Sequence, residues 1–291
     1  MNIYINNAPA EITLDKEKTL GDVMSGIEQW ISPTGNRIQK ICWKLRCSNG
    51  ANGKEIPEDA LSEAFLTQIE DIEKLEIYIS AWRELAVEAL GILAETCALY
   101  GNAPYDERAR IYKEWKENAG SRFLNSDIPD IFSLAENTLS GNGLSVTDFS
   151  IIVEERLREL TDPLQEITGS EALVNNISQR MEEFPLDMQT GKDQRAAETI
   201  RFFSQISGKL FRIFFMYKTE GLSVDTFVID ERPAKTFIEE FNSALRELSD
   251  AYENRDTVLA GDIAEYELAP RLLKFFTAMK NMTKSYSQVS S

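Results

Sequence analysis

Two kinds of hydrophobic periodicity divide the chain, and one replaces the other at about residue 81. Before that point apolar and polar residues mostly alternate, which is typical of strands with one buried face. From Trp82 onward apolar residues recur every three to four positions, which is the period of amphipathic helices. We therefore predict an α+β protein with a small domain at 1–81 and an all-α helical bundle at 82–282. The polar, aperiodic segment 283–291 is predicted to be a disordered tail.

The first part of the chain predicts a β-hairpin followed by a helix. Met1–Asn6 and Glu11–Asp15 alternate on either side of a turn-prone stretch, which is the pattern of two paired strands. Thr19 is an N-cap candidate for the helix that follows. The apolar positions of that helix are Leu20, Val23, Met24, Ile27 and Ile31.

Two further strands are predicted, at Arg37–Arg46 and Lys74–Ser80, with a turn-rich connection at 49–53 and a polar, partly helical stretch at Pro57–Gln68. This order of hairpin, helix, strand, irregular segment and strand resembles the β-grasp fold of ubiquitin-like proteins, in which a sheet wraps one helix. The resemblance is one of pattern and covers residues 1–80. It implies a compact ubiquitin-like domain that is fused to the helical region.

The known activities of β-grasp proteins can be compared with the residues of this domain. Ubiquitin-like modifiers and sulfur carriers end in a free Gly-Gly, whereas here the last predicted strand runs through Trp82 into a helix, so we expect neither conjugation nor sulfur transfer. Ferredoxins use the same fold but need four cysteines for their cluster. Cys42 and Cys47 are five positions apart, which places them on opposite faces by strand parity unless the strand ends or bulges before Cys47, and we interpret both as ordinary small apolar residues.

One face of the predicted strand at Arg37–Arg46 carries a short basic strip. The strip consists of Lys40, Lys44 and Arg46, in a chain whose formal net charge is −17. Such a strip is a candidate docking face for an acidic protein partner, or for the acidic helical region itself. The alternative interpretation is an ordinary solvated sheet face.

The helical region centres on one unusually apolar helix, predicted at Gln194–Lys218. A helix that is apolar over much of its circumference is normally surrounded by others, so we place it at the centre of the bundle. Phe184–Lys192 is predicted to be a loop, Arg232-Pro233 opens the next helix, and Pro270 is expected to kink or break the last one. The segment 253–270 resembles a stretch near the C-terminus of uncharacterised bacterial helical proteins, and this resemblance implies no activity.

Composition excludes several classes of function. The 31 basic and 48 acidic residues disfavour nucleic acid and anionic membranes as partners. The chain contains no histidine, which excludes Ser-His-Asp and Cys-His mechanisms and every metal motif that needs an imidazole ligand. Its first residues lack the basic and apolar regions of a signal peptide, and its three cysteines are too few for a secreted disulfide framework. We expect a cytoplasmic protein.

An acidic cluster near the C-terminus is dense enough to raise the question of a metal site. Its members are Asp250, Glu253, Asp256, Asp262 and Glu265. No window has the ligand order of an EF-hand loop, and di-metal helix-bundle sites need histidines that the chain lacks. We interpret the cluster as a solvated acidic face, in which Asp262 or Glu265 can pair with Arg255 or Arg271. An oxygen-only site for magnesium or calcium is the alternative.

The sequence therefore predicts a non-enzymatic protein-interaction or scaffold protein, with no cofactor and with a protein as its partner. It carries no phosphate-binding glycine loop, dinucleotide fingerprint or nucleophile elbow. A cytoplasmic chaperone or adaptor for an exported or assembling bacterial protein is the first alternative. An enzyme that uses carboxylates or a hard metal is the second.

Overall fold

The computed structural model describes residues 1–46, 54–57, 60–220 and 227–289. The predicted turn at 49–53, Cys47 and the last two residues of the predicted tail lie outside these ranges. The fold is α+β, as the sequence predicted: a mixed five-stranded sheet with one long helix is followed by a mainly helical region.

The N-terminal sheet has the strand order β2-β1-β5-β3-β4. β1 and β5 are parallel neighbours, and the other three pairs are antiparallel. The sheet packs one face against α1. The elements of this domain are β1 (Asn2–Ile5), β2 (Ala8–Pro9), α1 (Leu20–Ile31), β3 (Asn36–Leu45), β4 (Lys54–Glu55), α2 (Leu61–Ala64) and β5 (Ile72–Ala81).

The core of this domain agrees with the sequence prediction. The five apolar positions predicted for α1 are all buried against the sheet. Ile3, Leu75 and Ile77 pack against them from the two parallel strands. α1 begins with a reciprocal cap. The Asp22 amide donates to Thr19 Oγ1 at 3.2 Å, and the Thr19 amide donates to Asp22 Oδ2 at 2.9 Å.

The hairpin is tighter than predicted. Asn6 and Asn7 adopt positive φ angles of 48° and 66°, which suit a two-residue turn, and asparagine tolerates this conformation better than most residues. Ala8-Pro9 therefore already pairs with β1. The predicted second strand at Glu11–Asp15 is wrong, since this segment has no regular structure.

The helical region begins at Trp82 directly after β5. A two-stranded ladder, β6 (Val228–Ile229) with β7 (Arg232–Pro233), interrupts it. The helices are α3 (Trp82–Asn102), α4 (Tyr105–Lys116), α5 (Ala119–Asp127), α6 (Pro129–Leu139), α7 (Val146–Thr161), α8 (Pro163–Gly169), α9 (Glu171–Glu182), α10 (Phe184–Gln189), α11 (Asp193–Thr219), α12 (Ala234–Glu253), α13 (Thr257–Asp262) and α14 (Ala269–Val289).

α11 is the long apolar helix that the sequence predicted, and it contacts α7, α9, α10 and α14. Its aromatic residues join those of α12 and α14 in one cluster. Phe211 lies 4.8 Å from Phe275 and 5.3 Å from Phe241 between ring centroids. This cluster fixes three helices against one another and explains why so much of the α11 surface is apolar.

Three local predictions need correction. The predicted loop at Phe184–Lys192 contains α10, because Phe184 is fully buried and Pro185 occupies a position near the helix start that proline tolerates. α5 was not predicted at all; it starts where the Asn118 side chain accepts a hydrogen bond from the Gly120 amide at 2.7 Å. Within the predicted tail, α14 continues to Val289, and Thr283 is fully buried.

The expected break before Pro270 takes the form of a π-helical turn, Ile263–Leu268, between α13 and α14. Proline has no amide hydrogen and its ring crowds the preceding turn, so a wider turn accommodates it. Among the described residues no helix is long and apolar enough to cross a membrane.

The two parts of the chain meet where β3 begins and β5 ends. The Trp82 amide donates to the Gly35 carbonyl at 2.9 Å. Gly35 has a φ of +75°, and an added Cβ would lie 2.9 Å from Glu220 Cα at the end of α11. Glycine is therefore required at this position both by its backbone conformation and by the close approach of the helical region.

Candidate interaction surfaces

The predicted basic strip is only partly available to a partner. Lys40 Nζ lies 2.7 Å from Glu55, and Lys44 Nζ lies 2.9 Å from Glu73, so both cations pair with carboxylates of their own domain. The hydrogen bond to Glu55 raises the pKa of Lys40. Arg46 is exposed immediately after β3.

A different residue of β3 forms an ion pair with the helical region. Arg37 lies near the start of this strand, and its Nε is 3.6 Å from Asp127 at the end of α5. The helical region therefore contacts β3 through Arg37, a residue outside the predicted strip.

A second surface, which the sequence did not single out, is a groove beside α1, which we call the α1 groove. Its volume is about 550 Å³, within the range of typical binding clefts. One wall is the segment between β2 and α1. The other wall is the face of α1 that lies across the groove from this segment. Its lining residues include Ile5, Ala10, Ile12, Leu14, Val23, Gly26, Ile27 and Trp30.

The rim of the α1 groove carries an exposed aromatic residue. Trp30 is 62% exposed although it lies on the same stripe of α1 as the buried Val23 and Ile27. Gly26 lies between them on this stripe, and a Cβ added there would meet no atom within 4 Å. The groove is therefore open above the helix, and its floor and one rim are apolar.

A third surface, a cleft of about 430 Å³, lies at the junction of the two domains. We call it the junction cleft. β3, α3, α5, α6, α7 and α11 all contribute to its lining, and Trp82 and Phe215 supply aromatic surface. Its charged residues are three arginines and three acids, namely Arg37, Arg156, Arg212, Asp127, Asp130 and Glu159.

The charges of the junction cleft are paired with one another. Arg212 holds Glu159 through two hydrogen bonds, of 2.8 Å from Nε and 2.5 Å from an Nη atom. Arg156 contacts Asp130 at 2.8 Å and Glu159 at 3.5 Å. The Glu159 side chain is only 4% exposed. Burial raises the pKa of its carboxyl to about 8, and the Arg156 guanidinium opposes this rise.

One member of the acidic cluster near the C-terminus has a structural role. Asp256 caps α13 by accepting a hydrogen bond from the Leu259 amide at 3.1 Å. Arg271 pairs with Glu267 at 2.8 Å, not with the Asp262 or Glu265 that the sequence suggested. Within the described ranges no three or more acidic or cysteine side chains are placed to hold a metal ion.

Comparison with known proteins gives two separate family matches. Residues 1–81 match the TP0873 N-terminal domain. Residues 153–278 match a domain of unknown function, DUF8042. No curated protein and no solved structure matches the chain significantly. The first match ends where β5 ends, and the second covers the helices from the middle of α7 to the middle of α14.

The sequence pattern singles out the basic strip but neither of the two concave sites. The residues of the α1 groove do carry a signal, because Trp30 continues the apolar spacing of Val23 and Ile27 along α1. The junction cleft has no comparable signal, since its residues come from helices that are far apart in the chain.

Proposed function

We propose that the chain is a non-enzymatic, cytoplasmic protein-interaction protein that recognises a protein partner through its N-terminal domain. The observation that carries this proposal is the apolar α1 groove with the exposed Trp30 at its rim. Exposed tryptophan is enriched at the energetic centres of protein interfaces, where it adds a large apolar area at a low cost in conformational entropy.

The same domain is proposed to be a ubiquitin-like β-grasp domain. In support, a single mixed sheet packs one face on one helix, and the first and last strands are parallel neighbours in its middle. Fusion to the helical region supports a binding role over a modifier role, because β5 passes directly into α3. In this arrangement the helical region supplies a rigid support to which the binding domain is attached.

The basic strip of Lys40, Lys44 and Arg46 remains a second proposed contact within the same function. Exposed ion pairs contribute little to stability, so an acidic partner that offers better geometry can displace Glu55 or Glu73. A chaperone or adaptor role is a narrower form of this proposal, in which the partner is an exported or assembling protein. No separate feature of the described residues favours it.

The test is affinity purification of the full chain from an extract of its native host, with mass spectrometry, followed by reconstitution of each candidate complex from purified proteins. We expect at least one stoichiometric complex that survives gel filtration. Variants Lys40→Ala, Lys44→Ala and Arg46→Ala, combined, are expected to weaken it only if the strip takes part. Absence of any reconstituted complex would contradict the proposed function.

A second candidate function, an enzyme that uses carboxylates, is favoured by one observation, the buried Glu159 with a raised pKa in the junction cleft. Perturbed carboxyl groups in clefts are typical of general acids and bases. A thermal-shift screen with small organic acids, amines and divalent cations tests this function. A stabilising compound whose effect is lost in Glu159→Gln would support it.

A further inference from the structure

Resting on the proposed function, we infer that the α1 groove binds an apolar peptide segment flanked by lysine or arginine residues, carried by a partner protein. The contact surface is the wall formed by Ile12 and Leu14, the stripe of α1 around Gly26, and the indole of Trp30. This chemistry follows from two properties of the groove, its apolar floor and the sign of the charges at its edge.

The apolar part of the ligand follows from the groove lining. Ile12 and Trp30 are both exposed, on opposite sides of a space that the chain itself leaves open above Gly26. Water in contact with these side chains is released when an apolar side chain enters, which favours binding by about 25 cal/mol for each Å² of apolar surface covered. Leucine, valine or phenylalanine side chains fit this requirement.

The basic part of the ligand follows from the charges at the groove. Glu11 and Glu17 both line it, whereas Lys16 and Lys18 of the same segment do not. The amide of Lys16 donates to the Glu17 carboxylate at 3.0 Å, which lowers the pKa of Glu17 and keeps it ionised. Two carboxylates without a lining cation favour a ligand with positive charge beside its apolar segment.

A second copy of this chain does not fit the same charges. Each copy carries a formal net charge of −17, so two copies repel each other at low salt, and two of the negative charges lie at the groove edge itself. A basic partner is instead attracted both by the two carboxylates at the groove edge and by the net negative charge of the chain. The charges therefore favour a basic partner over self-association.

The binding experiment starts from random sequences, because the partner is unidentified. A phage-displayed library of random linear peptides is panned against the immobilised full chain, and enriched peptides are synthesised and titrated by fluorescence anisotropy. We expect enriched sequences with two or more apolar residues next to Lys or Arg. Their affinity is expected to fall as salt is raised, because the charges at the groove edge are exposed and screened.

Three variants test the location. Gly26→Phe places a ring in the groove at a position where an added Cβ meets no atom within 4 Å. Trp30→Ala removes the exposed rim, and a double variant, Glu11→Gln with Glu17→Gln, removes the edge charge. Gly26→Phe and Trp30→Ala are each expected to weaken peptide binding at least about tenfold. The double variant is expected to weaken it severalfold and to reduce its salt dependence.

Two matched controls separate binding from folding. Gly91→Phe places the same side chain on α3, where an added Cβ also meets no atom within 4 Å and where no groove residue lies. Leu66→Ala removes another exposed apolar side chain of the same domain, one that does not line the groove. Both are expected to bind the peptides like the parent chain, and all variants are expected to keep its melting temperature within a few degrees.

Failure of the groove is distinguishable from failure of the proposed function. Enriched peptides without basic residues, no enrichment, or full binding by Gly26→Phe would overturn the inference. A complex reconstituted from the native host extract and unaffected by Gly26→Phe would also overturn it, while leaving the proposed function in place. If the parent chain self-associates and Gly26→Phe abolishes this self-association, the groove binds a second copy. That result would overturn the inference as well.

Discussion

The indole Nε1 of Trp82 donates a 3.1 Å hydrogen bond to Asp127 Oδ1, and this contact ties the first residue of α3 to the last residue of α5. The same carboxylate lies 3.6 Å from Arg37 Nε of β3. Asp127 is therefore shared between the N-terminal domain and two helices of the helical region. It is the polar centre of the domain junction.

Replacement of this carboxylate is expected to loosen the junction. Asp127→Ala leaves the Trp82 donor and the Arg37 cation without their partner and is expected to lower the free energy of unfolding by about 1–3 kcal/mol, as measured by urea denaturation. Asp127→Asn keeps an acceptor for the Trp82 indole and is expected to lower the free energy of unfolding by less than Asp127→Ala does. The exposed Glu95→Ala on α3 serves as control, and an equal loss in this control would contradict the role of Asp127.

Gly35 offers a sharper test of the contact between the two domains. Gly35→Ala is expected to be destabilising by about 1–3 kcal/mol, because φ is positive and the new Cβ would crowd the backbone of Glu220. Gly141→Ala is the matched control, since Gly141 has a similar φ of +82° but open space around its Cβ position. Thermal denaturation gives the loss of stability in each of the two variants. The additional loss in Gly35→Ala measures the contribution of the domain contact, and equal losses in both variants would refute that contribution.

The pairing of the half-buried Arg212 with the buried Glu159 is expected to stabilise the junction cleft. Arg212→Ala removes both hydrogen bonds that Arg212 donates to the buried Glu159 carboxyl, so we expect a loss of about 1–3 kcal/mol in urea denaturation. The double variant Arg212→Met with Glu159→Leu removes both polar groups and is expected to be more stable than Arg212→Ala. The exposed pair of Arg110 and Glu114 provides the control, because Arg110→Ala is expected to change stability by less than about 0.5 kcal/mol.

If Arg212→Ala and Arg110→Ala lower the free energy of unfolding equally, the pair of Arg212 and Glu159 contributes no more than an exposed ion pair. A double variant that is less stable than Arg212→Ala would show that Glu159 is held mainly by contacts other than Arg212. Either result would also weaken the second candidate function, which depends on the environment of Glu159.

The sequence predicted those parts of the fold that depend on short-range periodicity. The α1 stripe, the long helix α11 and the boundary at Trp82 follow from spacing alone. Prediction failed where a tertiary contact decides the local structure. α10 is helical although its sequence is short and contains Pro185, because burial of Phe184 holds it in place. The tail is helical through Thr283 for the same reason, since this polar residue is covered by the bundle.

The candidate sites were predictable to different degrees. Lys40 and Lys44 were recognised from strand parity, but their partners Glu55 and Glu73 lie on other strands, and single-chain periodicity does not give cross-strand pairing. The α1 groove depends on where the segment after β2 runs. Because alternation predicted a strand for that segment, the space above Gly26 was not foreseen.

The Cys97 thiol is expected to be inert in the folded chain. Burial raises its pKa from 9.0 to about 11, although a hydrogen bond with Ser150 opposes the shift. Only the thiolate reacts with alkylating agents, so Cys97 is expected to be alkylated far more slowly in the folded chain than in urea near neutral pH. Peptide mass spectrometry resolves each cysteine separately. Equal rates for Cys97 in both states would contradict its burial.

The same shift predicts a pH dependence of stability. Between pH 9.0 and about 11 the folded chain keeps the Cys97 proton while the unfolded chain loses it, so unfolding releases a proton. Stability from this thiol is therefore complete below pH 9.0 and is lost as the pH rises towards 11. Relative to Cys97→Ala, the parent chain is expected to lose on the order of 2 kcal/mol across this window. Because all other titrating groups are common to both chains, a difference in urea stability that stays constant with pH would show that Cys97 does not titrate with a raised pKa.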